Sequence, residues 1–322
     1  MLRMIVNVGL AFVLSTLATP RAGADEYPSR PIRLMQPATA GGFSDTLSRL
    51  IAHGLSSHLG QAVFVENHPG AMNMIANRIV SRSEPDGYTI LWGPIDITMA
   101  PSLRKDAAGF DANRDLTPVA MVASSAGVYV VNSGVPANSL QELASYAKSR
   151  PGMVRNAING VGGSLHLATK LFELKTGIEL MHIPYRGTSE AMLAIISGEA
   201  DLGAFALSSG VSNRDRVRVL AQTGAARHSL LPDIPTTTEI GMPDVGVIFW
   251  FGIFAPPKTP RPIVDRLTHG LEQTLQEPAL REKFSSLGAI VDYLPPPQFA
   301  QRVVDETRKW GELIPAMGFR PE

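Results

Sequence analysis

Short apolar segments that alternate with longer amphipathic segments restrict the fold of this chain more than any other feature of its sequence. The apolar runs have the length of buried strands, and the segments between them place apolar residues on one helical face, as Leu47, Ile51 and Leu55 do. Strands connected by helices pair in parallel, because the helical crossover returns the chain to the same end of the sheet. We therefore expect an α/β fold.

The alternation is built twice, which predicts two lobes. A mature chain of about 300 residues is also of the size at which one hydrophobic core usually divides into two. The first unit has predicted strands at 32–35, 63–66 and 88–92 and predicted helices at 44–59 and 72–81. The second unit has predicted strands at 154–158, 179–183, 200–205 and 217–222 and predicted helices that begin near Ser139, Ser164 and Ser189.

Two apolar runs without a long helix between them, at 119–123 and 128–131, predict the passage from the first lobe to the second. The run at 247–254 predicts a strand that returns to the first lobe, and three helices with proline near the first turn follow it. We expect the first lobe to comprise residues 27–124 and 249–322, and the second lobe to comprise residues 125–248.

The N-terminus has the order of an export signal. Arg3 supplies a positive start, residues 4–18 form an apolar run, and Ala22, Gly23 and Ala24 provide the small residues of a cleavage site. A membrane anchor is the alternative, but the run is shorter than the roughly 18 to 20 apolar residues of a bilayer span. We expect residues 1–24 to be removed by cleavage after Ala24.

Charge and cysteine content exclude several classes of function. Removing Arg3 and Arg21 leaves 27 of the 29 basic side chains against 29 acidic ones, so the chain lacks the excess of positive charge that attracts nucleic acid. The sequence has 0 cysteines, which excludes disulfides, thiolate metal sites and cysteine nucleophiles. The fold must therefore rest on its hydrophobic core.

Glycine-rich turns that join a strand to a helix occur in both predicted lobes and indicate a binding site. The first glycine turn comprises residues 36–45, the second comprises residues 159–166, and a third turn of the same kind comprises residues 184–189. In open sheets, ligands bind beyond the carboxyl ends of the strands, where helix starts present free N–H groups. Two such turns that face each other suit an anion, although each turn alone is also typical of ordinary turn and cap chemistry.

Side chains beside these turns have two alternative roles each. Phe43 and Trp92 either line the cleft, where they could stack on an aromatic acid, or pack in the core beneath it. His166 either contacts the ligand or bonds to the backbone at the start of its helix. Arg186 either reaches a carboxylate or stays solvated, and Thr188 or Ser189 either caps its helix or donates to the ligand.

The sequence lacks the motifs of common enzymes. The second glycine turn misses the last glycine of a dinucleotide-binding fingerprint, and the chain has no P-loop, HExxH or GxSxG motif. Its 7 histidines have no metal-binding spacing, since even His53 and His58 do not share a helix face. We predict no catalytic residue, no metal and no cofactor.

Short fragments along nearly the whole mature chain are weak singly but specific in their order and spacing. They are Tyr27-Pro28-Ser29-Arg30-Pro31-Ile32, Gly41-Gly42-Phe43-Ser44-Asp45, Val65-Glu66-Asn67-His68-Pro69-Gly70-Ala71, Pro85-Asp86-Gly87-Tyr88-Thr89, Gly160-Val161-Gly162-Gly163-Ser164-Leu165-His166-Leu167, His182-Ile183-Pro184-Tyr185-Arg186-Gly187, Leu231-Pro232-Asp233-Ile234-Pro235-Thr236 and Ala255-Pro256-Pro257-Lys258-Thr259-Pro260. In these fragments the chain resembles the substrate-binding proteins of tripartite tricarboxylate transporters, also called the Bordetella uptake gene family.

The resemblance implies a two-lobe, Venus-flytrap fold of the type II periplasmic binding proteins, in which each lobe is a mainly parallel sheet flanked by helices. It implies a periplasmic monomer that captures a small carboxylate between its lobes. Aromatic carboxylates and dicarboxylates are among the candidate ligands. The expected partners are integral membrane transporter subunits, and no nucleic acid is expected. A ligand-sensing role beside a membrane kinase, or an enzyme acting on a carboxylate, is the alternative.

The resemblance also places ligand-binding positions in both lobes, to which the residues themselves add Trp92 and Arg186. Asp45 is expected to order the first turn, because a carboxylate would repel an anion. The expected ligand-binding residues are Thr39, Gly41, Gly42, Phe43, Asp45, Trp92, Gly162, Gly163, Ser164, His166, Arg186, Gly187 and Thr188.

Two departures from the family pattern concern the ligand. Many relatives have an acidic residue directly after the phenylalanine that matches Phe205, whereas this chain has Ala206. We therefore expect a ligand without an ammonium group. Residues 72–74 are Met-Asn-Met where relatives often have glycines, so we expect a narrower or more apolar cleft.

Overall fold

Two sheets covered by helices form the fold, which the computed structural model describes over residues 27–104, 107, 109–158, 160–185 and 187–319. The predicted export signal, with its cleavage after Ala24, lies outside these residues, and so does Arg186. Within them, no helix has the length and apolar character that crossing a bilayer requires.

The strands of the described chain are numbered in chain order. They are β1 (Ile32–Gln36), β2 (Val63–Asn67), β3 (Thr89–Pro94), β4 (Thr117–Ser125), β5 (Gly127–Asn132), β6 (Val154–Ile158), β7 (Leu180–Pro184), β8 (Leu202–Ala206), β9 (Val217–Gln222), β10 (Phe249–Ala255) and β11 (Ile290–Leu294). The helices are α1 (Phe43–Leu59), α2 (Met74–Ser81), α3 (Asp96–Leu103), α4 (Ala112–Asp115), α5 (Leu140–Lys148), α6 (Ser164–Thr176), α7 (Thr188–Ser197), α8 (Leu207–Ser212), α9 (Arg261–Gln276), α10 (Pro278–Ser286) and α11 (Pro296–Ala316).

The first sheet has the strand order β11-β4-β10-β3-β1-β2, and the second has the order β7-β6-β8-β5-β9. Parallel pairing joins β2, β1 and β3 in one sheet and β7, β6 and β8 in the other. β10 and β11 run against the remaining strands of the first sheet, and β5 runs against those of the second. The predicted α/β class is confirmed. The sheets are nevertheless mixed, because β5 and β10 enter directly from the other lobe without a helical crossover.

The chain passes between the sheets at two adjacent places. β4 ends at Ser125 and β5 begins at Gly127, and the return passage ends where Phe249 begins β10. Buried Thr223 holds the two passages together, because its hydroxyl accepts from the N–H of Gly127 at 2.7 Å and donates to the carbonyl of Val247 at 3.0 Å. This interaction, the Thr223 clamp, joins the two passages where the chain crosses between the sheets.

Helices pack on both faces of the first sheet. On one face α1 lies against α9, and Gly270 permits their close approach, since a Cβ there would stand 2.9 Å from Leu55 Cδ1. On the other face α11 lies against α3, and Phe299 of α11 contacts the rings of Trp250 and Phe254 on β10. These contacts hold the carboxyl ends of β1 and β3, from which the first glycine turn and α3 emerge.

Several elements differ from those predicted from the sequence. Four elements were not predicted, namely α3, α4, α8 and β11. The sequence does not indicate α3, because its apolar residues do not follow one helical face and Pro101 interrupts it. The helix predicted at 72–81 begins at Met74, because the three residues before it have left-handed φ values of 49°, 48° and 73°. The strand–helix alternation itself was predicted correctly.

Two glycine substitutions test this packing. Gly252→Ala on β10 should lower the free energy of unfolding by about 1 to 3 kcal/mol, since the added Cβ would stand 2.2 Å from the Phe299 ring. Gly311→Ala on α11 should raise it by about 0.5 to 1 kcal/mol, because this exposed helical glycine has room for a methyl group. Urea denaturation measures both, and equal effects of the two variants would contradict the packing of α11 on β10.

Candidate ligand-binding site between the two lobes

The first glycine turn is held by the last residue of β1. Gln36 is fully buried, and its Nε2 donates to the Ser44 carbonyl at 3.0 Å and to Ser48 Oγ at 2.8 Å. Its Oε1 accepts from the N–H of Ala38 at 3.2 Å. One side chain therefore ties the strand, the turn and the first turns of α1 together.

Asp45 closes the first turn from inside α1. Its Oδ2 accepts from the N–H of Gly41 at 2.9 Å, and its carboxylate also accepts from Arg49 and, at 2.8 Å, from Asn67. Burial raises the pKa of Asp45, but the hydrogen bonds from Arg49, Asn67 and Gly41 outweigh burial and leave that pKa below its usual value. Asp45 is thus a paired anion turned inward, as its expected ordering role requires.

Trp92 lies under the first turn, so of its two alternative roles the structure shows packing in the core, although Trp92 stood among the expected ligand-binding residues. The indole has no exposed surface, stacks on Phe251 with ring centres 5.4 Å apart, and donates from Nε1 to Ser44 Oγ at 2.9 Å. Phe43 is half-buried and meets Phe251 edge-on at 6.0 Å. Of the two aromatic candidates, only Phe43 keeps a surface beside the turn, where Thr39, Gly41 and Gly42 are exposed.

His166 closes the second turn as Asp45 closes the first. Its Nδ1 accepts from the N–H of Gly162 at 3.0 Å, the same step of four residues back along the chain. The ring is buried against His182 and Phe319, with ring centres at 4.5 and 5.1 Å. Burial, together with the charges of His182 and Lys170, lowers the pKa of His166 to about 3, so its ring is neutral near pH 7. Of its two alternative roles, the structure shows the backbone bond.

Both turns lead into helices whose first amides lack side-chain caps. Gly42 is the N-cap of α1 and Gly163 is the N-cap of α6, and neither helix start carries a side-chain cap bond. An α-helix leaves the N–H groups of its first turn without intrahelical acceptors, and the positive end of its dipole lies there. Each turn therefore presents backbone N–H groups that can donate hydrogen bonds to an anion.

Contacts between the lobes bring the second turn to α3 of the first lobe. Leu103 of α3 lies against Gly162, where a Cβ would stand 3.2 Å from Leu103 Cδ2. The Ser164 hydroxyl interacts with the Asp96 carboxylate at the start of α3. Because β3 pairs in parallel with β1, α3 and the first turn leave the same edge of the sheet. Asp96 thus stands where the two lobes meet, and no sequence motif indicated it.

The third glycine turn lies beyond β7. Gly187 is the N-cap of α7, and no side chain caps this helix, which corrects the suggestion that Thr188 does so. A hydroxyl cap must come from the N-cap position, and glycine occupies it. Gly187 and Thr188 are half-buried, so contact of this turn with a ligand stays a prediction.

The chain matches the family described as the tripartite tricarboxylate transporter family receptor over residues 47–319. The chain belongs to this family. The receptor's fold is that of solute-binding proteins, and the resemblance stated from the sequence fragments is confirmed.

Solved structures of similar proteins extend over almost the whole receptor. The periplasmic binding protein BugD is 32% identical, covers 92% of this chain and 100% of its own, and has a TM-score of 0.79. Rpa4515 of R. palustris, in a structure with adipate, is 30% identical, with coverage of 92% and 100% and a TM-score of 0.82. MatC of Rhodopseudomonas palustris, with bound malate, is 28% identical, with coverage of 89% and 100% and a TM-score of 0.78.

The neutral state of His166 makes receptor stability depend on pH. Between about pH 6.5 and pH 3 the unfolded chain binds a proton at this histidine and the folded chain does not, so the free energy of unfolding should fall as the pH falls. His166→Asn keeps an acceptor for the N–H of Gly162 and does not titrate. Its free energy of unfolding should therefore fall less steeply over this window, by up to about 1.4 kcal/mol per pH unit.

Urea denaturation at several pH values measures this difference, with His53→Asn on the exposed face of α1 as the control for losing an imidazole. The control should follow the wild-type profile. An unchanged profile for His166→Asn would show that His166 is not held neutral in the fold.

Proposed function

We propose that this receptor captures a small carboxylate between its lobes, by the amide donors of the first and second glycine turns. The supporting observation is the junction at Ser164, where the start of α6 in one lobe meets Asp96 at the start of α3 in the other. A ligand at this junction would be within reach of helix starts from both lobes. Adipate and malate, named with two structural neighbours, are small dicarboxylates.

The hydrogen bonds that the two turns can donate are sufficient for micromolar affinity. A hydrogen bond to a charged group contributes about 1.5 to 3 kcal/mol, and a helix terminus contributes about 0.3 to 1 kcal/mol. Four or five such contacts offset the cost of capture and reach the roughly 8 kcal/mol of micromolar binding. A lysine or arginine inside the cleft is therefore unnecessary for affinity.

Lobe closure would couple capture to recognition. We propose that residues 27–124 and 249–322 move as one lobe against residues 125–248, and that the Thr223 clamp is the line of movement. Only the closed arrangement lets both turns contact one ligand, so the ligand would stabilise that arrangement. The closed receptor would then deliver its ligand to integral membrane transporter subunits.

Location and the absence of catalysis complete the proposal. The structural neighbour BugD is a periplasmic binding protein, and an export signal at 1–24 with cleavage after Ala24 would carry this chain to the same compartment. The proposal assigns no chemical step to the receptor, since a delivered ligand must leave unchanged. Incubation of the receptor with the acids that it binds should therefore yield no new product by mass spectrometry.

Thermal unfolding against a panel of mono-, di- and aromatic carboxylates tests the capture directly. A carboxylate at 100 times its dissociation constant should add about 2.7 kcal/mol to the free energy of unfolding, and amines without a carboxyl group should add nothing. The double variant Gly42→Val with Ser164→Ala should lose this stabilisation. Gly42 has φ of −79°, so valine fits the backbone there while its side chain blocks the approach to the amides.

The matched control is Gly311→Val with Ser57→Ala, two exposed helical positions away from the turns. It should respond to ligand as the wild type does. Unchanged ligand affinity in the Gly42 and Ser164 double variant would refute the placement of the site, and stabilisation by amines alone would refute the carboxylate class.

A further inference from the structure

Asp96 is distinguished from the other inward-facing carboxylates of the receptor by the lack of a cationic partner among the described residues. The buried carboxylates Asp45, Glu173 and Glu306 each have a cation within salt-bridge distance. Within the part of the chain that the structure describes, the groups that act on Asp96 are its own backbone N–H and the Ser164 hydroxyl. The pairs of the other three are Arg49–Asp45 at 2.9 Å, Lys170–Glu173 at 2.8 Å and Arg302–Glu306 at 3.0 Å.

This environment leaves the charge of Asp96 poorly compensated. Burial raises the pKa of Asp96, and the bonds from its own N–H and from Ser164 only partly oppose that effect. A carboxylate has about four lone-pair positions, so two donors leave acceptor capacity unused. Taking such a group out of water is costly unless hydrogen bonds replace those lost. Among the described residues no further donor acts on Asp96, so its remaining lone pairs are open to water or to a ligand that fills the space beside it.

The position of Asp96 places that space between the lobes. The residue is half-buried at the start of α3, beside the carboxyl ends of β3 and β1, and it faces Ser164 of the second turn. A carboxylate held by the amides of α6 would therefore lie near Asp96. Two carboxylates alone would repel each other in this partly dry space, whereas a donor group on the ligand would satisfy Asp96.

We propose that Asp96 is the specificity-determining residue of the cleft and accepts a hydrogen bond from a hydroxyl or ammonium group that the ligand carries beside its carboxylate. The inference rests on the proposed function and names its ligand class, which is hydroxy- or amino-substituted carboxylates. It revises the expectation from Ala206 that the ligand lacks an ammonium group, because a different position supplies the acidic side chain.

Matched sets of acids test the proposal on the wild-type receptor. Each set has a plain, a hydroxy and an amino member on one carbon skeleton, and isothermal titration calorimetry measures their dissociation constants. In the set that fits the cleft, the hydroxy or the amino member should bind about 10 to 100 times more tightly than the plain member. The sets are succinate, malate and aspartate; glutarate, 2-hydroxyglutarate and glutamate; and phenylacetate, mandelate and phenylglycine.

Substitutions separate the role of Asp96 from that of its surroundings. Asp96→Asn and Asp96→Ser should reduce the preference over the plain acid to within about threefold, while the plain acid binds no more weakly than to the wild type. Asp265→Asn, an exposed position on α9, is the control and should keep the full preference. Thermal unfolding of each variant without ligand shows that it is folded.

The outcomes distinguish this inference from the function on which it rests. If no acid of any set binds, the proposed function fails together with the inference. If plain acids bind as tightly as their substituted partners, or if the preference survives in both Asp96 variants, the receptor still captures carboxylates but Asp96 does not select them.

Discussion

The proposed binding site depends on one repeated interaction, a backbone N–H bonded to a side chain four residues further along. Gly41 donates to Asp45 in the first lobe, and Gly162 donates to His166 in the second. Each bond folds a glycine turn back on its helix start, and the next amides have no side-chain cap. A flexible turn would have to lose conformational entropy when a ligand binds, and these bonds remove that cost beforehand.

The two closing side chains differ in charge, yet both avoid opposing an anion. Asp45 is negative, but Arg49 and Asn67 pair its oxygens on the inner side of the turn. His166 is neutral near pH 7, because burial disfavours its charged form. The helix starts therefore keep their positive character at the cleft. Asp96 is the exception among the described carboxylates that face inward, and its position at the lobe junction suits the selection of a ligand more than its attraction.

Local sequence pattern was sufficient to predict the strand–helix alternation and both glycine turns. The ordering role of Asp45 was also predictable, because a helix-start acid next to glycines has few other uses. Trp92 stayed open between the core and the cleft, since a residue at the end of a strand can face either one and sequence alone does not distinguish them. α3 was missed because its apolar residues surround the helix, which leaves no one-sided pattern.

Asp96 could not be found from the sequence for a related reason. Its importance comes from Ser164, a residue of the other lobe, and no local pattern records a contact between elements so far apart in the chain. The one signal was an acidic residue directly after a strand end marked by Gly93 and Pro94. A glycine turn, by contrast, carries its whole signal within a few neighbouring residues, so it was visible.

A crystal structure of the receptor with its tightest carboxylate would test the central claim most directly. The account predicts carboxylate oxygens within hydrogen-bond distance of amide nitrogens at the start of α1 and at the start of α6, with both lobes in contact with one ligand. A ligand bound instead in the cavity of about 470 Å³ beside Ser125 and Gly288, with both turns facing solvent, would contradict it.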